Sequence, residues 1–167
     1  MAGYSRDEVE AAFIRYWQTG AVGEDWDAWA NLFTEDATYV EHVLGRRNGR
    51  EEIRAWIKPT MARVPELYSA LGWYAIDGDR VVCEAINRRD DPTPGGTAID
   101  FPGVTILRYA GDGLWRSEED YWVPAEAAAA TKRYQEACRL HDPEHPARRT
   151  RRHWPASPAW AGPARAR

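Results

Sequence analysis

Three stretches of this sequence carry side chains able to move protons or steer a ligand. The first is Tyr39-Val40-Glu41-His42-Val43-Leu44. In an extended chain, alternation sends Tyr39, Glu41 and Val43 to one face and Val40, His42 and Leu44 to the other. Each face then holds one proton-transfer group. A carboxyl group in an apolar chamber has its neutral form favoured, so its pKa rises toward the working pH. A neutral imidazole needs less adjustment. Either Glu41 or His42 can serve, with Tyr39 donating a hydrogen bond. The second stretch is Trp115 to Val123, with Glu118, Asp120 and Trp122 on one face. A carboxylate among aromatic residues is costly to bury alone, and an arginine could pair with it through two hydrogen bonds. The third is Asn87-Arg88-Arg89-Asp90-Asp91, which offers Asn87 and Arg88 as polar ligand contacts.

Other chemistry is poorly represented. The Gly-Asp-Gly and Pro-Gly-Gly segments read as turns rather than phosphate loops. His141 and His145 have ligand-like spacing but flank Pro143, which argues against a metal site. No Ser-His-Asp arrangement stands out. Cys83 and Cys138 are too few for a disulfide framework and read as small buried apolar residues in a reducing compartment. No cofactor is implied.

The elements that must position these residues follow from periodicity. Ser5 and Glu8 form a capping box before a helix with Val9, Phe13, Tyr16 and Trp17 at helical spacing. Gly20 and Gly23 end it, and a short second helix carries Trp26, Trp29, Leu32 and Phe33. Residues 38–44 read as a strand and residues 45–49 as a turn. A third helix presents Ile53, Trp56, Ile57, Met61 and Val64, with Pro59 kinking it or ending it near Lys58. Beyond Pro65 the pattern turns to strands: 67–76 and 80–89 around Asp77-Gly78-Asp79, then 98–109 and 114–123 around Gly111-Asp112-Gly113. Pro124 opens a final Ala-rich helix to about residue 140.

This order predicts an α+β fold. An antiparallel sheet has one face to bury, and three helices placed before most of the strands must cover it. A strongly curved, mixed or antiparallel sheet wrapped around the N-terminal helices closes into a cone-shaped barrel. Its wide end leaves a cavity for a small molecule. Nine tryptophans in 167 residues suit such a lining, and Trp17, Trp29, Trp56 and Trp122 are the expected substrate contacts with Asn87 and Arg88. The barrel is expected over residues 1–141. Residues 142–167 form a basic tail rich in proline and arginine, disordered or docked as an extended arm. The whole chain has a net charge of −4. An acidic body argues against nucleic-acid binding. No apolar run approaches the roughly 18 residues that span a bilayer, so a cytoplasmic protein is expected.

The stretch Leu32-Phe33-Thr34-Glu35-Asp36-Ala37-Thr38-Tyr39, followed by Gly49-Arg50-Glu51-Glu52-Ile53, resembles nuclear transport factor 2-like proteins, as does Glu119-Asp120-Tyr121-Trp122. That superfamily includes ketosteroid isomerases, limonene epoxide hydrolases, scytalone dehydratases and SnoaL-like polyketide cyclases. The resemblance covers about residues 5–130. It implies that Glu41 matches the general base of ketosteroid isomerases, a one-residue bulge bringing His42 there instead. Tyr39 matches the water-holding Tyr of limonene epoxide hydrolases, and Asp120 their activating Asp. Their Arg-x-Asp pattern has two versions here, Arg88 with Asp90 and Arg89 with Asp91. Alignment from the preceding turn puts Ile86 and Arg88 at those positions instead, a departure from an Asp–Arg–Asp triad. Asp100 lies two residues beyond the oxyanion-binding Asp of ketosteroid isomerases, where a neutral acid would hydrogen-bond an enolate.

The expected function is cofactor-free acid/base chemistry on an apolar polyketide, terpenoid or steroid-like substrate: isomerisation, cyclisation, dehydration or epoxide hydrolysis. The alternative is a binding or dimerisation module of the same fold without chemistry. A homodimer is expected by analogy of fold.

Overall fold

The computed structural model describes residues 3–154 and 158–163. Helix α1 (Arg6–Trp17) starts where the Ser5 side chain accepts the Glu8 amide, and it buries Val9, Phe13, Tyr16 and Trp17. It does not stop at Gly20: a π-helical turn, Gln18–Val22, continues it. Gly20 is needed there because a Cβ would lie 2.4 Å from Cδ1 of Trp29. Helix α2 (Trp26–Ala30) is capped by Asp25. Helix α3 (Arg50–Ala62) runs through Pro59 rather than ending before it.

Six strands form one mixed sheet: β1 (Phe33–Glu41), β2 (Gly45–Asn48), β3 (Tyr68–Asp77), β4 (Arg80–Arg89), β5 (Ile99–Gly111) and β6 (Leu114–Trp122). The order is β2-β1-β6-β5-β4-β3. Residues 45–48, expected in a turn, instead return antiparallel along β1, pairing Tyr39 with Arg47 and Glu41 with Gly45. Strands β3 to β6 form two hairpins and pair antiparallel throughout, while β1 lies parallel to β6. Register shifts in β3 (between Leu71 and Tyr74) and near Tyr109 of β5 add the bends that curve such a sheet. The fold is the α+β architecture expected, but β2 and β3 stand at opposite edges and do not meet, so the sheet wraps its helices without closing.

The main core lies between the helices and the concave face and includes Phe13, Trp29, Phe33, Leu71, Leu107 and Trp115. A smaller core forms where helix α4 (Pro124–His141) sets Tyr134 and Cys138 against Ile99 and Phe101. The described part of residues 142–167 lies along the body. Arg149 and Arg151 pair with Glu24. The backbone amide of Arg152, the ring of His153 and the hydroxyl of Tyr68 all reach Asp90, which is fully buried. Further on, Trp160 packs edge-on to Phe13, and Trp17 Nε1 donates to the Ala161 carbonyl at 3.2 Å. Trp154 packs at 5.2 Å from Tyr68. Both cysteines are free and buried. No helix among the described residues is long and apolar enough to cross a membrane.

Candidate functional site

A cavity of about 230 Å³ opens between the helices and the concave side of the sheet. The parallel pairing of β1 with β6 builds its polar end. Tyr39 stands beside Glu118, and Glu41 beside Asp120, while Thr105 of β5 faces Asp120 from the other side. Because side chains alternate along a strand, the two-residue spacings Tyr39/Glu41 and Glu118/Asp120 all point inward. All five residues line the cavity.

Asp120 is the best-held of these groups. Thr105 Oγ1 donates to its Oδ1 at 2.5 Å, and the Tyr39 hydroxyl donates to its Oδ2. Burial raises its pKa to about 6. The two donors pull it back, and the Glu41 charge adds to the rise. Glu118 is 2% exposed. Tyr16 donates to its Oε1 at 2.7 Å, whereas its buried Oε2 has no hydrogen-bond partner. Burial and the neighbouring Asp120 charge push its pKa well up, so its neutral form is favoured. Burial also raises the Tyr16 and Tyr39 phenols, which therefore stay protonated and act as donors.

Glu41 is buried at the end of β1. Its carboxylate accepts Trp122 Nε1 at 2.6 Å and the Leu44 amide at 2.5 Å. Trp17, Trp29, Trp56, Asn87 and Trp122 line the chamber as well.

Three residues singled out from the sequence do not reach it. His42 follows Glu41 without a bulge and so projects from the opposite face. It stacks on Tyr121 at 4.0 Å, and its Nε2 lies 3.3 Å from Glu119. Asp100 and Arg88 are cross-strand partners bound to each other at 2.6 and 2.8 Å, outside the cavity. Asn87 takes the inward position of β4, so Arg88 turns outward, where it also donates to the His153 carbonyl. Arg89 pairs with Glu66, and Asp90 is occupied by the arm. Neither Arg88 with Asp90 nor Arg89 with Asp91 therefore forms an Asp–Arg–Asp triad with Asp120.

Tyr16 and Thr105 are site residues that no sequence pattern marks, and strand alternation puts Glu118 on the Asp120 face without showing a role for it. The i, i+2 spacing of Glu118 and Asp120 was the available signal. Tyr16 and Thr105 carry none, since each reads as an ordinary member of a helical stripe or a strand. Among the described residues, no group of three or more His, Cys, Asp or Glu side chains is placed to share a metal ion.

Residues 11–118 match the model of the SnoaL-like domain. No curated protein matches the chain. Among solved structures, a protein of ketosteroid isomerase-like fold from Catenulispora acidiphila, in complex with trimethylamine, is 26% identical. Its TM-score is 0.58, and the alignment covers 77% of this chain and 95% of that one. A candidate SnoaL-like polyketide cyclase from Jannaschia sp. CCS1 is 21% identical, with a TM-score of 0.60, covering 78% and 96%. An epoxide hydrolase from M. tuberculosis, similar to limonene epoxide hydrolase, is 17% identical, with a TM-score of 0.64, covering 80% and 96%.

Proposed function

This chain belongs to the SnoaL-like domain family, and from that premise we propose that it is an enzyme in which Asp120 moves a proton on a small, apolar-surfaced molecule. The observation that carries this reading is the setting of Asp120. Its carboxyl is fixed by Tyr39 and Thr105, titrates near 6, and faces an aromatic chamber. A general acid/base works best with a pKa near the working pH. Asp120 can take a proton from one substrate atom and return it to another, while Tyr39 and Thr105 hold the carboxylate in one orientation. Glu41, Tyr16 and Glu118 set the charge around it.

The solved structures similar in fold include a candidate cyclase, an epoxide hydrolase and a protein of isomerase-like fold. An arginine-braced hydrolytic Asp is the least supported of these chemistries, because no arginine among the described residues lines the cavity. Isomerisation or cyclisation by proton transfer fits better. At about 230 Å³, the chamber is smaller than the roughly 300–1,000 Å³ common for drug-sized ligands. A substrate of one or two rings suits it better than a four-ring steroid. The trimethylamine complex of the Catenulispora protein also involves a compact ligand.

The test is turnover of a panel of small cyclic ketones, epoxides and amines by the full chain and by Asp120→Asn. Turnover should fall at least about 100-fold in the variant, with the circular dichroism spectrum retained. Unchanged turnover in Asp120→Asn would overturn the assignment. Saturable binding by the wild type with no product from any ligand would favour a carrier instead.

A further inference from the structure

We propose that the natural ligand of this chamber is a compact organic cation, an alkylammonium or protonated amine with an apolar skin. The inference rests on the reading above and deepens it by naming the charge of the molecule on which Asp120 acts.

The charge inventory of the cavity is one-sided. Among the described residues, its ionisable lining includes three carboxyl groups, Glu41, Asp120 and the neutral-favouring Glu118, and no lysine, arginine or histidine. Arg47 lays its guanidinium 5.0 Å from the centre of the Trp56 ring and donates to the backbone carbonyls of Arg46 and Leu44. It lies outside the lining and covers a single indole. An anionic ligand would meet the acids with no compensating charge, and like charges at a shared site repel. A neutral ligand would leave the negative charge uncompensated.

The apolar lining points the same way. Trp17, Trp26, Trp29, Trp56 and Trp122 all reach the cavity. Aromatic faces carry the negative part of the ring quadrupole and attract cations, most strongly when water is excluded. Such walls accept an alkylammonium group on two counts: its methyl or methylene skin is apolar, and its centre is positive. The buried Glu118 Oε2, which lines the chamber without a partner, supplies an independent sign of a missing group. A buried polar atom left unpaired is costly; a cationic centre beside it favours the charged form of Glu118, whose Oε2 can then accept from an amine N–H. The chamber's volume of about 230 Å³ holds a compact ammonium.

The decisive comparison uses two molecules of nearly the same shape. Choline carries a trimethylammonium group; 3,3-dimethylbutan-1-ol has a neutral carbon in place of the nitrogen. Calorimetric titration of the full chain at pH 8 should show choline binding at least about tenfold more tightly than the alcohol. Glu41→Gln and Asp120→Asn, each checked for retained structure by circular dichroism, should narrow that ratio. Equal binding, tighter binding of the alcohol, or no saturation by either ligand up to about 50 mM, well beyond the millimolar range of weak specific binding, would overturn the inference. The wild-type comparison does not depend on either variant folding. It also reads binding rather than turnover, so a missing charge preference alongside Asp120-dependent turnover would sink this inference alone.

Discussion

Glu118 and Asp120 stand two residues apart on the same face of β6, yet their carboxyl groups are held differently. Asp120 receives a hydroxyl donor on each oxygen, from Thr105 and Tyr39, whereas Glu118 receives only Tyr16. Donors favour the ionised form of a carboxyl group and burial favours the neutral one. The negative charge of the pair therefore settles on Asp120.

The rate should report that charge. With Asp120 as base, kcat/KM should fall as pH drops through about 6, the pKa to which burial raises this group. Tyr39→Phe removes a donor to the charged form and should move this limb upward. Glu41→Gln removes a repelling charge and should move it downward, each by a few tenths to about one unit. Opposite displacements in pH–rate profiles check the assignment.

Stability should carry the same signature. The folded pKa of Asp120 lies above its ordinary 3.8, so its contribution to folding is fully present below about pH 4 and is lost as pH rises through 6. Above that, the ionised group costs the fold up to about 3 kcal/mol. Asp120→Asn should therefore be more stable than the wild type at pH 8, with the advantage fading toward pH 4. Urea unfolding at both values measures it.

Gly20→Ala tests the packing beneath the site. The new methyl carbon would sit 2.4 Å from the Trp29 ring, and that indole lines the chamber. Overpacking of this kind costs about 1–3 kcal/mol. A lowered Tm together with weakened ligand binding is expected.

Asp90 tests the C-terminal arm. Burial alone would raise its pKa, but the Arg152 amide, His153 and Tyr68 outweigh it and hold the group at about 2. A depressed folded pKa gives stability that is present above the ordinary 3.8 and lost as pH falls toward 2. Asp90→Ala removes the acceptor that these donors share. Arm amides near Arg152 should then exchange hydrogen faster, while those of β5 and β6 stay protected.

The fold was readable because its signals are local. The stripe of α1, the Gly-Asp-Gly turn and the alternation of β6 need no distant information. The same alternation was enough to put Tyr39 with Glu41 and Glu118 with Asp120. It could not choose between Glu41 and His42, since both faces of β1 carry a reactive group, and only pairing with β6 decides which face turns inward. Strand β2 has no sequence signal of its own, because Gly-Arg-Arg-Asn has turn composition and gains strand geometry only from its partner. The outward turn of Arg88 depends on register and on the His153 carbonyl, 65 residues away. The seat of Trp160 against Phe13 likewise joins segments with no shared periodicity.

Strand β6 lies between β1 and β5, so it alone joins the first two strands to the three before it in the chain. Until it is in place, the halves of the sheet have no hydrogen-bonded link, and Tyr39 waits for a partner 81 residues downstream. A chain halted on the ribosome before residue 114 would hold Trp17, Trp26, Trp29 and Trp56 of the aromatic walls but neither Glu118, Asp120 nor Trp122. Emergence of β6 thus acts as a checkpoint: the proton-handling cluster comes into being only once that strand is made.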